Sequence, residues 1–434
     1  MNSEKKGLMD KLTDLTTKLS GPLGRFANTD IISSIVAGLI AATPIIMVGS
    51  IFLILFVLGS PSVGTSGEPL IGFLEPLADK FSIMNSLTMS MMSLYCAVSI
   101  SYNYGAKKKM NTLTCALLGL ATFIIFTVDG VNKTGEISVA SFSANGLFVC
   151  ILTSILSVRI LKFFLDHNIT IKMPESVPPN VGNAFGAILP YALIFTIAWL
   201  IRTVMNFDMV AWLNSVMQPL IATSDSLWMA MLIAFIVLLL WSVGLHGDNM
   251  FLILFTPIGL SWLDINATAL ANGTSTHDLP FILAGLGQSG LVRLTIWTAA
   301  VWPLIFLMIA SKRKQFKTVG LTALAPSIFT IVEPVIYGLP VALNPYLMIP
   351  FILSGTLSTG VGYLLMSTDF FGKFYALVPW ATPPFLIGPL GTGDLKTILI
   401  PIISFFIGLI IYLPFWRVYN NSLNTEDAEK LKNS

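Results

Sequence analysis

The chain has 434 residues, 55% of them hydrophobic and 11% charged, with a formal net charge of +2. A soluble domain carries roughly 25% charged residues, so this composition excludes one, and so small a net charge offers a nucleic acid no electrostatic footprint. Apolar runs without Asp, Glu, Lys or Arg fill 31–67, 81–106, 110–128, 137–158, 176–201, 226–245, 294–311, 334–368 and 397–416. A helical crossing of a bilayer takes about 20 apolar residues. The runs are continuously apolar rather than alternating, which excludes a transmembrane β-barrel. The expected fold is an all-α polytopic membrane protein of about ten transmembrane helices, with re-entrant hairpins and an N-terminal amphipathic helix.

Residues 1–26 form that amphipathic segment, basic and with Leu8, Leu12, Leu15 and Leu19 along one side. It reads as an interfacial helix with no cleavable signal before the first span. Lys and Arg then alternate by loop. They collect at Lys5, Lys6, Lys11, Lys18 and Arg25, at Lys107, Lys108 and Lys109, and at Arg159, Lys162 and Lys172, while 60–80, 129–144 and 206–225 are poor in them. The positive-inside rule places both termini, the Lys107 loop and the cluster Lys312, Arg313, Lys314 and Lys317 in the cytoplasm. Cys96, Cys115 and Cys150 have the spacing of neither a disulfide framework nor a metal site and read as small buried hydrophobes. Met84, Met89, Met91 and Met92 read as span packing.

Residues 27–205 read as regular spans with short loops, suited to a scaffold and dimerisation half, and 173–190, rich in Pro, Gly and Asn, as a linker or elbow. In 206–416 the apolar sequence is interrupted at 244–249, 284–290, 333–340 and 379–393, and 417–434 reads as a cytoplasmic tail. Irregular backbone at membrane depth persists only where it is buried in protein or lines a wet cavity, so the second half is expected to hold the substrate.

Four stretches in that half can carry chemistry. Glu333 stands alone: 318–332 and 334–368 contain no charged residue, and Pro334, Gly338 and Pro340 stop a helix from running through. Its carboxylate can accept hydrogen bonds from sugar hydroxyls, act as a general base, or be a buried acid satisfied by backbone amides. His246 is one of three His and lies in Trp241-Ser242-Val243-Gly244-Leu245-His246-Gly247-Asp248-Asn249. It can bind hydroxyls, with the flanking Gly admitting a ligand to the backbone, or cap a helix end. Trp380, in Pro379-Trp380-Ala381-Thr382-Pro383, can be a platform for a sugar ring or an interfacial anchor, and Trp241 is open to the same two readings. Gly285-Leu286-Gly287-Gln288-Ser289-Gly290 has no Lys and reads as a hairpin tip, not a nucleotide loop. Arg293 beyond it is the lone charge between Asp278 and Lys312. It can bind a phosphorylated group, pair with an acid, or snorkel to the interface.

The Gly-Leu-His-Gly at 244–247, the Glu-Pro-Val-Ile-Tyr-Gly-Leu-Pro at 333–340 with Asn344-Pro345, the Val-Pro-Pro at 177–179 and the Pro-Trp-Ala-Thr-Pro at 379–383 occur in one order along the chain. In these the sequence resembles the membrane-embedded IIC component of the bacterial phosphotransferase system, in its lactose/cellobiose/diacetylchitobiose branch. It departs from that pattern at Val332, where the family has Asn, and at Gly287-Gln288-Ser289-Gly290, where two adjacent Gly are expected. The resemblance implies a homodimeric permease in the bacterial inner membrane. It would carry a β-linked disaccharide such as cellobiose, diacetylchitobiose or lactose while a separate IIB protein, charged by IIA, transfers a phosphoryl group from its cysteine. It also implies catalytic roles for Glu333 and His246, and a substrate-binding set of Trp241, His246, Asn249, Arg293, Glu333 and Trp380. No cofactor is expected, and no carboxylate cluster is present to hold a metal. The competing class is an ion-coupled secondary sugar transporter with Glu333 as proton carrier.

Overall fold

Thr29 begins the first span: its hydroxyl accepts from the Ile32 amide at 3.4 Å, an N-cap that satisfies one of the open donors of a helix start. The computed structural model describes residues 29–60, 69, 71–128, 139–171, 174, 179–339, 341 and 344–432. The amphipathic segment expected at 1–26 lies outside them. Among the described residues there is no β-strand. Among the same residues seven helices are long and apolar enough to cross a membrane, and Thr112–Thr127 and Leu227–Ser242 are shorter apolar helices. The chain divides into two compact units, whose described residues fall within 29–223 and 224–432.

The first unit holds α1 (Asp30–Gly59), α2 (Ala78–Leu87), α3 (Met92–Lys107), α4 (Thr112–Thr127), α5 (Leu147–Asp166), α6 (Pro179–Trp199) and α7 (Met209–Ser224). Lipid gives apolar side chains no reason to prefer one another, so close backbone approach and interhelical hydrogen bonds hold such helices together. Here Gly38 of α1 lies against the backbone of Ile100 in α3, and the Ser99 hydroxyl donates to the Gly38 carbonyl at 2.8 Å. The three cysteines are buried and unbridged, as expected, and Met89 and Met92 are buried. Two expectations shift. The apolar run at 81–106 is broken near Thr88, between α2 and α3. The linker at 173–190 is helical from Pro179 onward. Proline fits a first helical turn, and Pro190 is carried inside the helix.

The second unit holds α8 (Leu227–Ser242), α9 (Thr256–Ala271), α10 (Leu291–Ala300), α11 (Trp302–Ile309), α12 (Lys314–Ile328), α13 (Glu333–Gly338), α14 (Pro345–Met366), α15 (Pro384–Thr392) and α16 (Leu399–Lys432). Helix α16 runs on through 417–432, the stretch read as the tail. Helices α8, α10, α14 and α16 form the core of the unit. Thr295 of α10 and Thr359 of α14 share a hydrogen bond of 2.8 Å, and Tyr412 of α16 donates to the Ala300 carbonyl at 2.7 Å. At one end of α14, Tyr346 lies 5.9 Å from Tyr419, centroid to centroid, and Tyr419 stacks on Phe316 near the basic cluster at 312–317. At the other end the Tyr363 hydroxyl donates to the Asp225 carbonyl at 3.0 Å. The Asp225 carboxylate accepts from the amides of Ile282 and Leu283 at 2.8 and 3.1 Å, so the loop before α8 holds the Gly-rich hairpin in place.

Candidate functional site

Helix α8 stops by a Schellman motif. The Leu245 amide donates to the Leu240 carbonyl and the Gly244 amide to the Trp241 carbonyl, both at 3.0 Å, with Gly244 at φ +84°. That conformation suits a residue without Cβ. The chain then turns through His246 into one helical turn, Gly247–Met250. A Cβ at Gly247 would meet the Val237 carbonyl and come 3.0 Å from Trp241 Cδ1. Gly247 therefore serves the chain's own packing, and Gly244 closes the helix with open space beside it. Gly247→Ala is expected to cost about 1–3 kcal/mol by overpacking, seen as a lower melting temperature of the purified protein in detergent; an unchanged melt would show that the turn moves aside freely.

Between α12 and α13 the chain bends at Thr330, with φ +59°, and Glu333 opens α13. The Thr330 hydroxyl donates to the Trp380 carbonyl at 2.7 Å, tying the bend to the Pro-Trp-Ala-Thr-Pro loop. His246 Nε2 and Glu333 Oε1 stand 3.8 Å apart, with side chains 40% and 43% exposed. Two groups at this separation can both reach one hydroxyl oxygen at about 2.8 Å. A carboxylate so placed can accept the hydroxyl proton while the imidazole hydrogen-bonds the oxygen. Tyr337, four residues after Glu333 and so on the same side of α13, is also exposed.

Behind His246 lies a buried network. The His246 ring centroid is 4.3 Å from that of Trp241, whose other neighbours are Trp297 at 5.8 Å, edge on, and Tyr337 at 6.5 Å. Trp241 Nε1 donates to Asp248 Oδ2 at 2.7 Å, and Arg293 of α10 donates to Asp248 Oδ1 at 3.1 Å. Asp248 and Arg293 are both buried. One carboxylate thus locks the indole that backs the imidazole, and the guanidinium neutralises that carboxylate.

Glu333, His246, Trp241 and Arg293 come together, and Trp380 joins through Thr330 with its side chain half exposed. Trp241 is 1% exposed and Arg293 9%. The ring face expected at Trp241 is covered, and the Arg293 guanidinium is committed to an acid, one of the readings open to it. The side chain of Asn249 lies outside the described residues. The Gly-rich tip packs on α9, its Gly285 amide donating to the Gly259 carbonyl at 2.9 Å. Val332 is 2% exposed, a burial that suits a hydrophobe. Asp248 and Tyr337 had been assigned no role in the sequence. Asp248 beside His246, and Arg293 as the lone charge between Asp278 and Lys312, were the available signal for the first; the i, i+4 spacing from Glu333 was the signal for the second.

The profile of the family "Phosphotransferase system, EIIC" matches residues 36–355. The chain belongs to the phosphotransferase system EIIC family. It is therefore the sugar-permease component of such a system, a multi-pass membrane protein. Among the EIIC relatives, the chain is similar to the cellobiose-specific EIIC component of Geobacillus stearothermophilus, with 30% identity over 93% of this chain and 93% of that one. It is 28% identical to the lichenan permease IIC component of Bacillus subtilis (strain 168), over 98% of this chain and 95% of that one. Its fold matches the crystal structure of the transporter ChbC, the IIC component from the N,N'-diacetylchitobiose-specific phosphotransferase system. There the TM-score is 0.83 and the identity 28%, over 95% of this chain and 99% of that one.

Proposed function

We propose that this EIIC chain carries a β-linked disaccharide of the cellobiose, diacetylchitobiose or lactose type, phosphorylated during transport by a separate IIB protein that IIA recharges. The observation that carries the reading is the 3.8 Å approach of His246 to Glu333, two half-exposed polar side chains on separate interrupted segments. In the reaction the sugar hydroxyl oxygen attacks the phosphorus of the IIB phosphocysteine. The S–P bond breaks, an O–P bond forms, the thiolate leaves, and the hydroxyl proton passes to Glu333. His246 holds the attacking oxygen, Trp241, Asp248 and Arg293 hold His246, and Trp380 lines the sugar. Residues 27–205 act as scaffold and dimer interface, 206–416 as the transport half, and both termini face the cytoplasm. The similarity to a cellobiose-specific EIIC component and a lichenan permease supports the β-glucoside class.

The test is uptake into proteoliposomes with purified IIB, IIA, a phosphodonor and labelled cellobiose, diacetylchitobiose or lactose. Sugar phosphate is expected inside, with none formed when IIB is left out. Free sugar inside, with uptake abolished by collapsing a proton gradient, would replace this reading with ion-coupled transport.

A further inference from the structure

A cavity of about 460 Å³ opens in the first unit, formed by Lys108 after α3, by Arg159, Lys162 and Phe163 of α5, by His167, and by Tyr104 of α3. It sits where three spans end together: α1 begins at Asp30, α3 ends at Lys107 and α5 ends at Asp166. That is the level of the membrane surface. Two carboxylates line it, and both are engaged. Asp30 pairs with Lys108 at 2.7 Å and Asp166 with Lys162 at 2.9 Å. The Asp30 carboxylate holds the Lys108 ammonium above its usual range, so it stays charged at physiological pH. Arg159 is exposed and has no hydrogen bond or ion pair among the described residues. The cavity therefore holds one positive charge in excess, on the side chain best shaped to grip a phosphate oxygen pair.

Phe163 gives the cavity an apolar edge, and the exposed Leu156 lies outside it along the same helix. Leu156, Arg159 and Phe163 follow at three and four residues along α5 and so share a side of the helix. Leu156 and Phe163 are 47% and 52% exposed, and the Phe163 ring rests on His167 at 4.2 Å between centroids. A soluble anion has no use for that edge. An acyl-bearing one does, and basic pockets between spans are recognised seats for anionic lipid headgroups.

We propose that this cavity seats the phosphodiester headgroup of an anionic phospholipid, with Arg159 as the main contact, Lys108 and Lys162 beside it, and Leu156 and Phe163 against the acyl chains. The full-length protein is incubated with detergent micelles of phosphatidylglycerol or phosphatidylcholine and examined by native mass spectrometry. Phosphatidylglycerol should be retained in preference. Arg159→Gln should weaken that retention about five-fold, and Arg159→Lys, which keeps the charge but loses the two-point grip, should weaken it less. Arg159 is exposed and has no partner among the described residues, so these variants are expected to fold, and unchanged melting confirms it. Equal retention of the two lipids, or no loss in Arg159→Gln, overturns the proposal. Displacement of phosphatidylglycerol by excess inorganic phosphate also overturns it, reassigning the site to the free anion. Sugar and phosphodonor are absent throughout, so the outcome is independent of the transport reading.

Discussion

Glu333→Gln is expected to lower sugar phosphorylation by about 100-fold or more, with normal membrane insertion and an unchanged melting temperature. The amide keeps the shape of the carboxyl group and one acceptor oxygen, but takes no proton from the attacking hydroxyl. Glu333 is 43% exposed and its close partner is His246 at 3.8 Å, so its neutral isostere leaves no buried charge stranded. The loss should therefore be chemical and appear in kcat. A residue that only binds the sugar gives a different result, with KM raised and kcat kept. Initial rates at saturating phosphorylated IIB and varied disaccharide separate the two. A Glu333→Gln protein that makes sugar phosphate at the native rate would remove the carboxylate from the mechanism.

The architecture was legible because the bilayer makes each span declare itself as a long charge-free run. What could not be read was how spans break or continue where Pro and Gly are ambiguous. Pro179 and Pro190 look like linker chemistry, yet both belong to α6. The run at 81–106 looks continuous, yet it bends near Thr88. Both depend on packing between helices, which composition does not carry.

At the site, Glu333 and His246 were legible as polar groups isolated in apolar sequence, and the fold brings them within 3.8 Å. Their support was only half legible. Trp241 looked like a ring for a sugar, because an indole in sequence does not reveal which face is covered. The two Gly beside His246 looked like room for a ligand, whereas one closes α8 and the other admits the Val237 carbonyl. Asp248 was hidden by proximity: beside His246 it read as part of one polar stretch, and its partners lie 7 and 45 residues away in sequence.

Asp248→Ala should be the most destabilising single change at this site. It removes the acceptor of Trp241 Nε1 and strands Arg293, a residue only 9% exposed whose Nε already lacks an acceptor among the described residues. Breaking a buried pair from one side costs roughly 3–5 kcal/mol, and the yield of folded protein in detergent should fall with the melting temperature. Asp248→Asn should lose less stability, since its amide oxygen still accepts from the indole. The paired change Asp248→Leu with Arg293→Met separates stability from function. Two apolar residues in place of a buried ion pair are often neutral in stability, so folding should return. Sugar phosphorylation should stay low, because Trp241 is no longer fixed and its ring contact with His246, 4.3 Å between centroids, is lost with it. If the double variant folds and transports at the native rate, Asp248 and Arg293 do no more than hold the fold, and His246 is placed by other contacts.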